Sequence, residues 1–427
     1  MELVWDVIVI GGGSAGLMAA VAAGERGART LLLEKGNKLG NKLGISGGGR
    51  CNVTNAGSID SIISNIPGNG RFLYSSFSVF NNRDIVRFFE DLGIPLKEED
   101  RGRMFPVSNR AQDVVQSLVR RVRELGVEIR LKDPVKCLLY ADGSVIGVHT
   151  RADERLPTQS AVVAVGGMSV PRTGSTGDGY AWALEAGHTI TDLFPTEVPI
   201  TSHAPFIRER RLQGLALRGV ALSVLHPRSG KRVITHEGDL LFTHFGLSGP
   251  VALRCSQFVV QAMRQCLVDE VPMSVDLFPS EPEQSLARRW EDLARVEEQR
   301  KHLKNFLKGL LPDRLVALLL EQMGVSGDLP LAQVGRPVWQ RLVALCKAFP
   351  VTANGTLPLA EAFVTGGGVR LKEIDPRTMQ SRLIRGLFFC GEILDIHGYT
   401  GGYNITAAFS TGYTAGKSAA EAASAFR

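Results

Sequence analysis

No stretch of this chain approaches the ~20 apolar residues of a membrane span, and no basic segment precedes its first apolar run, so neither an anchor nor a secretory leader is expected. Cysteine is sparse: six residues in 427, at 51, 137, 255, 266, 346 and 390. They form no CxxC pair and no metal-ligand spacing, which argues against a disulfide framework or a zinc site and fits free thiols in the cytoplasm. Charge of one sign is not in large excess either, with a net +6 over the whole chain. With 44% hydrophobic and 22% charged residues, the composition is that of an ordinary globular protein. The length exceeds what one core organises, so two or three domains are expected.

Glycine is abundant instead: 47 residues, gathered towards the two ends. Such clustering points to backbone wrapped around a ligand. Residues 6–16, DVIVIGGGSAG, read as an apolar strand followed by G-x-G-x-x-G at Gly11, Gly13 and Gly16, with Ser14 and Ala15 between them. A small-residue helix follows, and TLLLEK ends a second strand on Glu34, 18 residues after Gly16. The glycines allow the tight turn, the approach of a pyrophosphate and close helix–sheet packing. The helix N-terminus holds phosphate, and the acid accepts from a ribose hydroxyl. This is a dinucleotide site.

The choice between NAD and FAD is decided far away, at 386–404, GLFFCGEILDIHGYTGGYN. There a strand ends on Gly391-Glu392, placing the acid for a ribityl hydroxyl. The turn up to Gly402 then opens a helix at Asn404 and Ile405, whose positive end is aimed at the pyrimidine edge of a flavin. Extended FAD needs such a return; NAD does not. A third element, 160–188, is a buried strand ending in Gly166-Gly167 with a helix from about Asp178. No second G-x-G-x-x-G follows a strand, so no separate nicotinamide domain is expected. The segment LGISGGGRCNVTNAG (43–57) then reads as main chain pressed against FAD through Ser46, Gly47, Gly48 and Gly49. Arg50 is expected near phosphate, with Asn52 or Asn55 on the polar edge of the ring. Lys35, Lys42 and Val135 complete the expected cofactor set. Cys51 has two readings: a small buried packing residue, or a proton donor or redox thiol beside the ring.

The motifs GGGSAG, SGGGRCNVTN, GRMFPVSNRAQDV, GDLLFTHFGLSGP, FVTGGGV and CGEILDIHGYTGGYN together resemble the YhiN/BaiN-like family of FAD-dependent oxidoreductases, over essentially the whole chain. The resemblance implies an α/β fold: a discontinuous Rossmann-type FAD-binding domain, an inserted β-barrel-like domain and a small helical domain. The expected boundaries are 1–194 for the first FAD part, 195–278 for the barrel, 279–336 for the helical domain, 337–355 for the return through the barrel and 356–427 for the second FAD part. The sequence itself is consistent with this layout. Residues 198–276 read as short strands with turn signals, and Pro282 to Met323 reads as helix with an apolar stripe at Leu303, Phe306, Leu307 and Leu310. Members of the family are assigned as ribosomal RNA dihydrouridine synthases, bile-acid dehydroxylation reductases and aminoacetone oxidases.

A flavin needs a substrate stacked on it and a proton source from the protein. Cys51, His397, Tyr399 and Tyr403 are the candidate acids; for His397 a structural role bonded to backbone is the alternative. Two basic stretches stand out, 207–232 and RKHLKNFLKGLLPDR at 300–314. They are either ordinary solvated surface or a footing for RNA. On the second reading Arg208, Arg210, Arg211, Arg218, Lys301, Lys304 and Lys308 contact phosphate. The leading expectation is reduction of the C5=C6 bond of uridine in 23S ribosomal RNA, with NAD(P)H as donor. The alternatives are a reductase or oxidase of a small enone or amine, and a flavin redox sensor without turnover.

Overall fold

The computed structural model describes residues 5–297 and 301–424, which divide into two units: 1–194 with 359–427, and 195–358. In the first unit, β1 (Trp5–Ile10), α1 (Ser14–Gly24) and β2 (Thr30–Glu34) follow one another as the sequence pattern predicts. β1 runs parallel to β2, Val7 opposite Thr30, and parallel on its other side to the strand Arg155–Val163, Val7 opposite Ser160. The strand Glu128–Leu131 extends the sheet beyond β2, and Leu387–Phe389 pairs in parallel with Arg155–Val163. The parallel core therefore has the order 128–131, β2, β1, 155–163, 387–389. That arrangement brings the Gly-rich turns after β1, after residue 163 and after residue 389 to one edge of the sheet, where doubly wound folds bind ligands.

Val7, Ile8, Val9, Leu31 and Leu32 are wholly buried. A parallel sheet covered on both faces demands such runs, because neither side meets water. α1 is buried along nearly its whole length and is rich in alanine. The small side chains have a reason: the C-terminal helix Tyr403–Ser424 lies directly on it. A Cβ placed on Gly412 would meet the Ala15 carbonyl, and one on Gly416 the Ala19 carbonyl, both well inside van der Waals contact. Glycines four apart on one helix face alanines four apart on the other, so the two backbones approach closely.

The second unit holds a seven-stranded antiparallel sheet with Phe349–Ala353 at one edge and Gly355–Thr356 at the other. The chain passes between opposite edges across the single residue Asn354, which forces the sheet to curl. One departure from the sequence reading lies here. The stretch 198–276, expected as strands throughout, contains the helix Pro250–Cys266. Pro250 sits at its first position behind Gly249 (φ 88°), and Val251, Ala252, Cys255, Val259 and Ala262 form its buried stripe. The helical run expected after Pro282, with its proline break before Asp313, is divided once more, into Glu283–Val296, Leu303–Leu307 and Asp313–Met323. These helices and Arg336–Lys347 share one continuous hydrophobic core with the sheet, including Trp290 and an edge-to-face pair of Phe306 and Trp339 at 5.5 Å.

Candidate cofactor and active site

The three glycines of the first loop do different work. Gly11 (φ 102°) turns the chain, and a Cβ there would lie 2.6 Å from the Ala164 carbonyl. A Cβ on Gly16 would overlap the Gly11 carbonyl, so this glycine serves packing. Gly13 differs: its φ is −81°, and a Cβ there would meet nothing within 4 Å. The open face of Gly13 stands at the N-cap of α1, which has no side-chain cap and no acid in its first turn. The positive end of α1 is thus left uncompensated by the protein. Glu34 closes the loop from below, accepting from the Gly12 N–H at 2.8 Å and the Gly36 N–H at 2.7 Å.

α2 (Asn41–Gly49) keeps helical geometry only to Ile45; Ser46 is extended, and Gly47, Gly48 and Gly49 take φ of 56°, 69° and 85°. Such left-handed backbone favours glycine, and Cβ atoms at Gly48 and Gly49 would again meet open space. Arg50 breaks the run at φ −95°, and Cys51 beyond it returns to left-handed backbone at φ 61° and is fully buried. Burial pushes its thiol up to about 12, against a smaller opposing pull from Ser46, so the sulfur is protonated at neutral pH. Arg50 stacks on Phe105 at 4.2 Å and is paired with Glu99 and, at 2.7 Å, with Asn109. Of the two asparagines, Asn55 spends its amide on Arg101, Gly401 and Gly57 backbone. Asn52 keeps a buried Oδ1 with no hydrogen-bond partner among the described residues. That orphan acceptor faces Gly402 (φ 95°), at the N-terminus of the helix Tyr403–Ser424.

Glu392 is gathered into a network. Its carboxylate accepts from Lys42 at 2.7 Å, from the Ser169 hydroxyl at 2.8 Å and from the Thr365 N–H at 2.8 Å. Burial opposes ionisation, yet Lys42 and the two other donors hold the carboxyl below its ordinary value of 4.5. A carboxylate so depressed contributes stability above pH 4.5 that is lost as pH falls through its folded value. Lys42→Met is therefore expected to cost about 2 kcal/mol at pH 7, with the gap to wild type narrowing towards pH 4 in urea unfolding. Ser169 and Thr365 were not singled out from sequence, although both lie in glycine-rich motifs, GGMSVP and FVTGGG.

The remaining residues fall as follows. Lys35 bonds Asp178 at 2.5 Å and Thr176. Gly166 (φ 74°) and Gly167 pack against Ser175 and Thr365, and Gly391 (φ 77°) against Ala15. Asn404 clamps the preceding turn through the Gly398 N–H and carbonyl, both at 2.8 Å, with Ile405 half-buried beside it. Val135 opens a strand opposite Thr150. His397 is buried, pairs backbone with Gly68 and meets Phe194 edge-to-face at 5.4 Å. Burial pushes its imidazole down to about 4, so it is neutral at pH 7. Tyr399 and Tyr403 are both buried and flank the Gly401-Gly402 turn.

The HI0933-like protein Rossmann domain family matches residues 5–418. The chain belongs to this family. It is 33% identical over 418 residues to the ribosomal RNA dihydrouridine synthase of Escherichia coli, covering 96% of each chain. It is 31% identical over 420 residues to the 3-dehydro-bile acid delta(4,6)-reductase of Clostridium scindens, covering 97% of this chain and 98% of the relative. In fold it is similar to the 3-ketosteroid delta1-dehydrogenase of Sterolibacterium denitrificans, with a TM-score of 0.51 at 15% identity over 98% of this chain and 99% of that one.

The chain is thus an FAD-dependent oxidoreductase of the HI0933-like, YhiN/BaiN-like family. Its residues fit the cofactor: the uncapped N-terminus of α1 suits phosphate, open-faced glycines admit a flat ligand, and Asn52 Oδ1 lacks a donor among the described residues. No helix among the described residues is long and apolar enough to cross a membrane.

The basic residues of the second unit divide into two groups. Arg211 is held bidentately by Glu321 (3.0 and 2.6 Å), Lys301 by Glu297 (2.9 Å), Lys304 by Asp328 (2.5 Å) and Lys308 by Asp313 (3.0 Å). Arg208, Arg210 and Arg218 are exposed and make no ion pair among the described residues. The two basic stretches also touch, since Arg314 donates to the Gln213 carbonyl at 2.8 Å.

Proposed function

We propose that this chain reduces the C5=C6 bond of uridine in ribosomal RNA, drawing electrons from NAD(P)H. The observation that carries the reading is the end-to-end similarity to a ribosomal RNA dihydrouridine synthase, joined to three exposed arginines without carboxylate partners. The bound flavin supplies a hydride to one carbon, and the protein must supply a proton to the other. Among the candidate acids, Cys51 has no exposed surface from which to reach a substrate, whereas Tyr399 and Tyr403 each keep an edge open, and His397 is neutral at working pH. We therefore assign the proton to one of the phenols of Tyr399 and Tyr403, beside the turn that opens the C-terminal helix. Asn52 and the Gly47–Gly49 backbone hold the cofactor's polar edge, while Arg208, Arg210 and Arg218 grip phosphates. A ribosomal RNA substrate places the protein in the cytoplasm.

The second reading, a small enone, has its own support in the bile acid reductase relative. Salt and substitution separate the two. Single strands lose affinity with a log–log salt slope of roughly 0.7 per phosphate contacted, so three arginines give a slope near −2, and seven would give near −5. Turnover on a uridine-containing fragment of ribosomal RNA is expected to fall roughly a hundredfold in Tyr399→Phe or in Tyr403→Phe, whichever carries the acid. Binding indifferent to salt, or both tyrosine variants fully active, contradicts the proposal.

A further inference from the structure

One cleft is used by nothing above. It lies in the unit formed by 1–194 and 359–427, has a volume of about 760 Å³, and is walled by residues 60–74 and 371–382. Small-molecule sites run from about 300 to 1,000 Å³. Its charged lining is Arg71, Lys372 and Arg382 against a single carboxylate, Asp60. Arg71 and Lys372 are exposed and make no ion pair among the described residues; Arg382 spends its Nε on the Ile374 carbonyl at 3.3 Å. Asp60 is engaged, accepting the Tyr74 hydroxyl at 2.8 Å and so fixing a ring that is 48% exposed. The wall of the cleft is tied to the DIHGYTGG turn: Asn69 Nδ2 donates to the Asp395 carbonyl at 2.8 Å, and the Gly68 N–H to the His397 carbonyl at 2.9 Å.

We propose that this cleft binds a free nicotinamide dinucleotide, its phosphates on Arg71, Lys372 and Arg382 and a base against Tyr74. Three cations facing one occupied carboxylate select a polyanion, and an exposed ring held by its hydroxyl gives a flat base a surface to stack on. The single G-x-G-x-x-G of the chain belongs to the flavin domain, so a nicotinamide donor has to be held elsewhere. The proposal rests on the reading that NAD(P)H is the electron donor.

The test uses the FAD-loaded protein and the unreactive oxidised nucleotides NADP⁺ and NAD⁺, titrated by calorimetry, beside a single-stranded uridine-containing oligoribonucleotide. Arg71→Gln with Lys372→Gln is expected to weaken nucleotide binding at least about tenfold. Asp60→Asn, which keeps an acceptor for Tyr74, is expected to tighten it about threefold by removing repulsion. Oligonucleotide affinity and thermal midpoints are expected to stay at wild-type values. Unchanged nucleotide affinity in the double variant, weaker binding in Asp60→Asn, or an effect on the oligonucleotide alone overturns the proposal. Reduction of the flavin by NADPH or NADH, followed at its absorbance band, is measured in parallel. If both nucleotides fail to reduce the wild type, the donor reading falls and the cleft with it. If they reduce wild type and double variant alike, the donor reading stands and the cleft is refuted.

Discussion

Gly13→Ala is expected to leave the apoprotein as stable as wild type and to release its FAD. The residue has φ −81° and ψ −169°, which alanine adopts without strain, and its Cβ would touch no protein atom within 4 Å. Substitutions of that kind change stability by within about 0.5 kcal/mol. The open face is where the main chain must admit a pyrophosphate at the N-terminus of α1, and a methyl group in that gap costs about 2–3 kcal/mol of binding, roughly a hundredfold in Kd. Gly16→Ala is the control with the opposite signature. Its Cβ would overlap the Gly11 carbonyl, so the apoprotein itself should lose about 3 kcal/mol or more. Flavin retained on purification, together with urea unfolding of the apoprotein, reads both effects. A Gly13→Ala protein that keeps its full flavin content contradicts the assignment of this loop to the pyrophosphate.

The second large effect is expected where no ligand is touched. Gly412→Ala with Gly416→Ala inserts two methyl groups between the C-terminal helix and α1. Helix propensity alone predicts a gain of about 1 kcal/mol per site, since alanine is the better helix former. Packing opposes it: both new Cβ atoms would strike carbonyl oxygens of Ala15 and Ala19, and α1 is pinned on its other side by the sheet. Overpacking costs typically 1–3 kcal/mol per site, and here the obstacle is backbone, which cannot swing aside. Packing wins. The double variant should unfold about 2–4 kcal/mol more easily and lose flavin as well, because α1 carries the phosphate-binding loop at its N-terminus. Stabilisation instead would show that the two helices do not meet through these glycines.

These two predictions mark what was legible in the sequence and what was not. Strand β1, the loop at 11–16, α1, β2 and the helix near Asp178 follow from local signals: an apolar run, a glycine spacing and an acid at the end of a strand. The helix Pro250–Cys266 was hidden because its neighbours on both sides are strands, and its short apolar stretches suit either period. The alanine-rich face of α1 has no visible purpose until Gly412 and Gly416, almost 400 residues away, are seen lying on it. The same distance hides the Glu392 network, since Lys42, Ser169 and Thr365 converge on one carboxylate from three segments. A count of charges marked both basic stretches, but not that Glu321, Glu297, Asp328 and Asp313 already occupy four of the seven cations. Pairing of surface charge is a tertiary property, and it narrows the proposed RNA grip to Arg208, Arg210 and Arg218.

The measurement that bears most directly on the proposed activity is mass spectrometry of nucleosides from 23S ribosomal RNA, comparing a strain with this gene against one lacking it. The account predicts that one dihydrouridine disappears on deletion, returns with the wild-type gene and fails to return with a Gly13→Ala copy. Ribosomal RNA identical in the two strains contradicts it and moves the search to small enones.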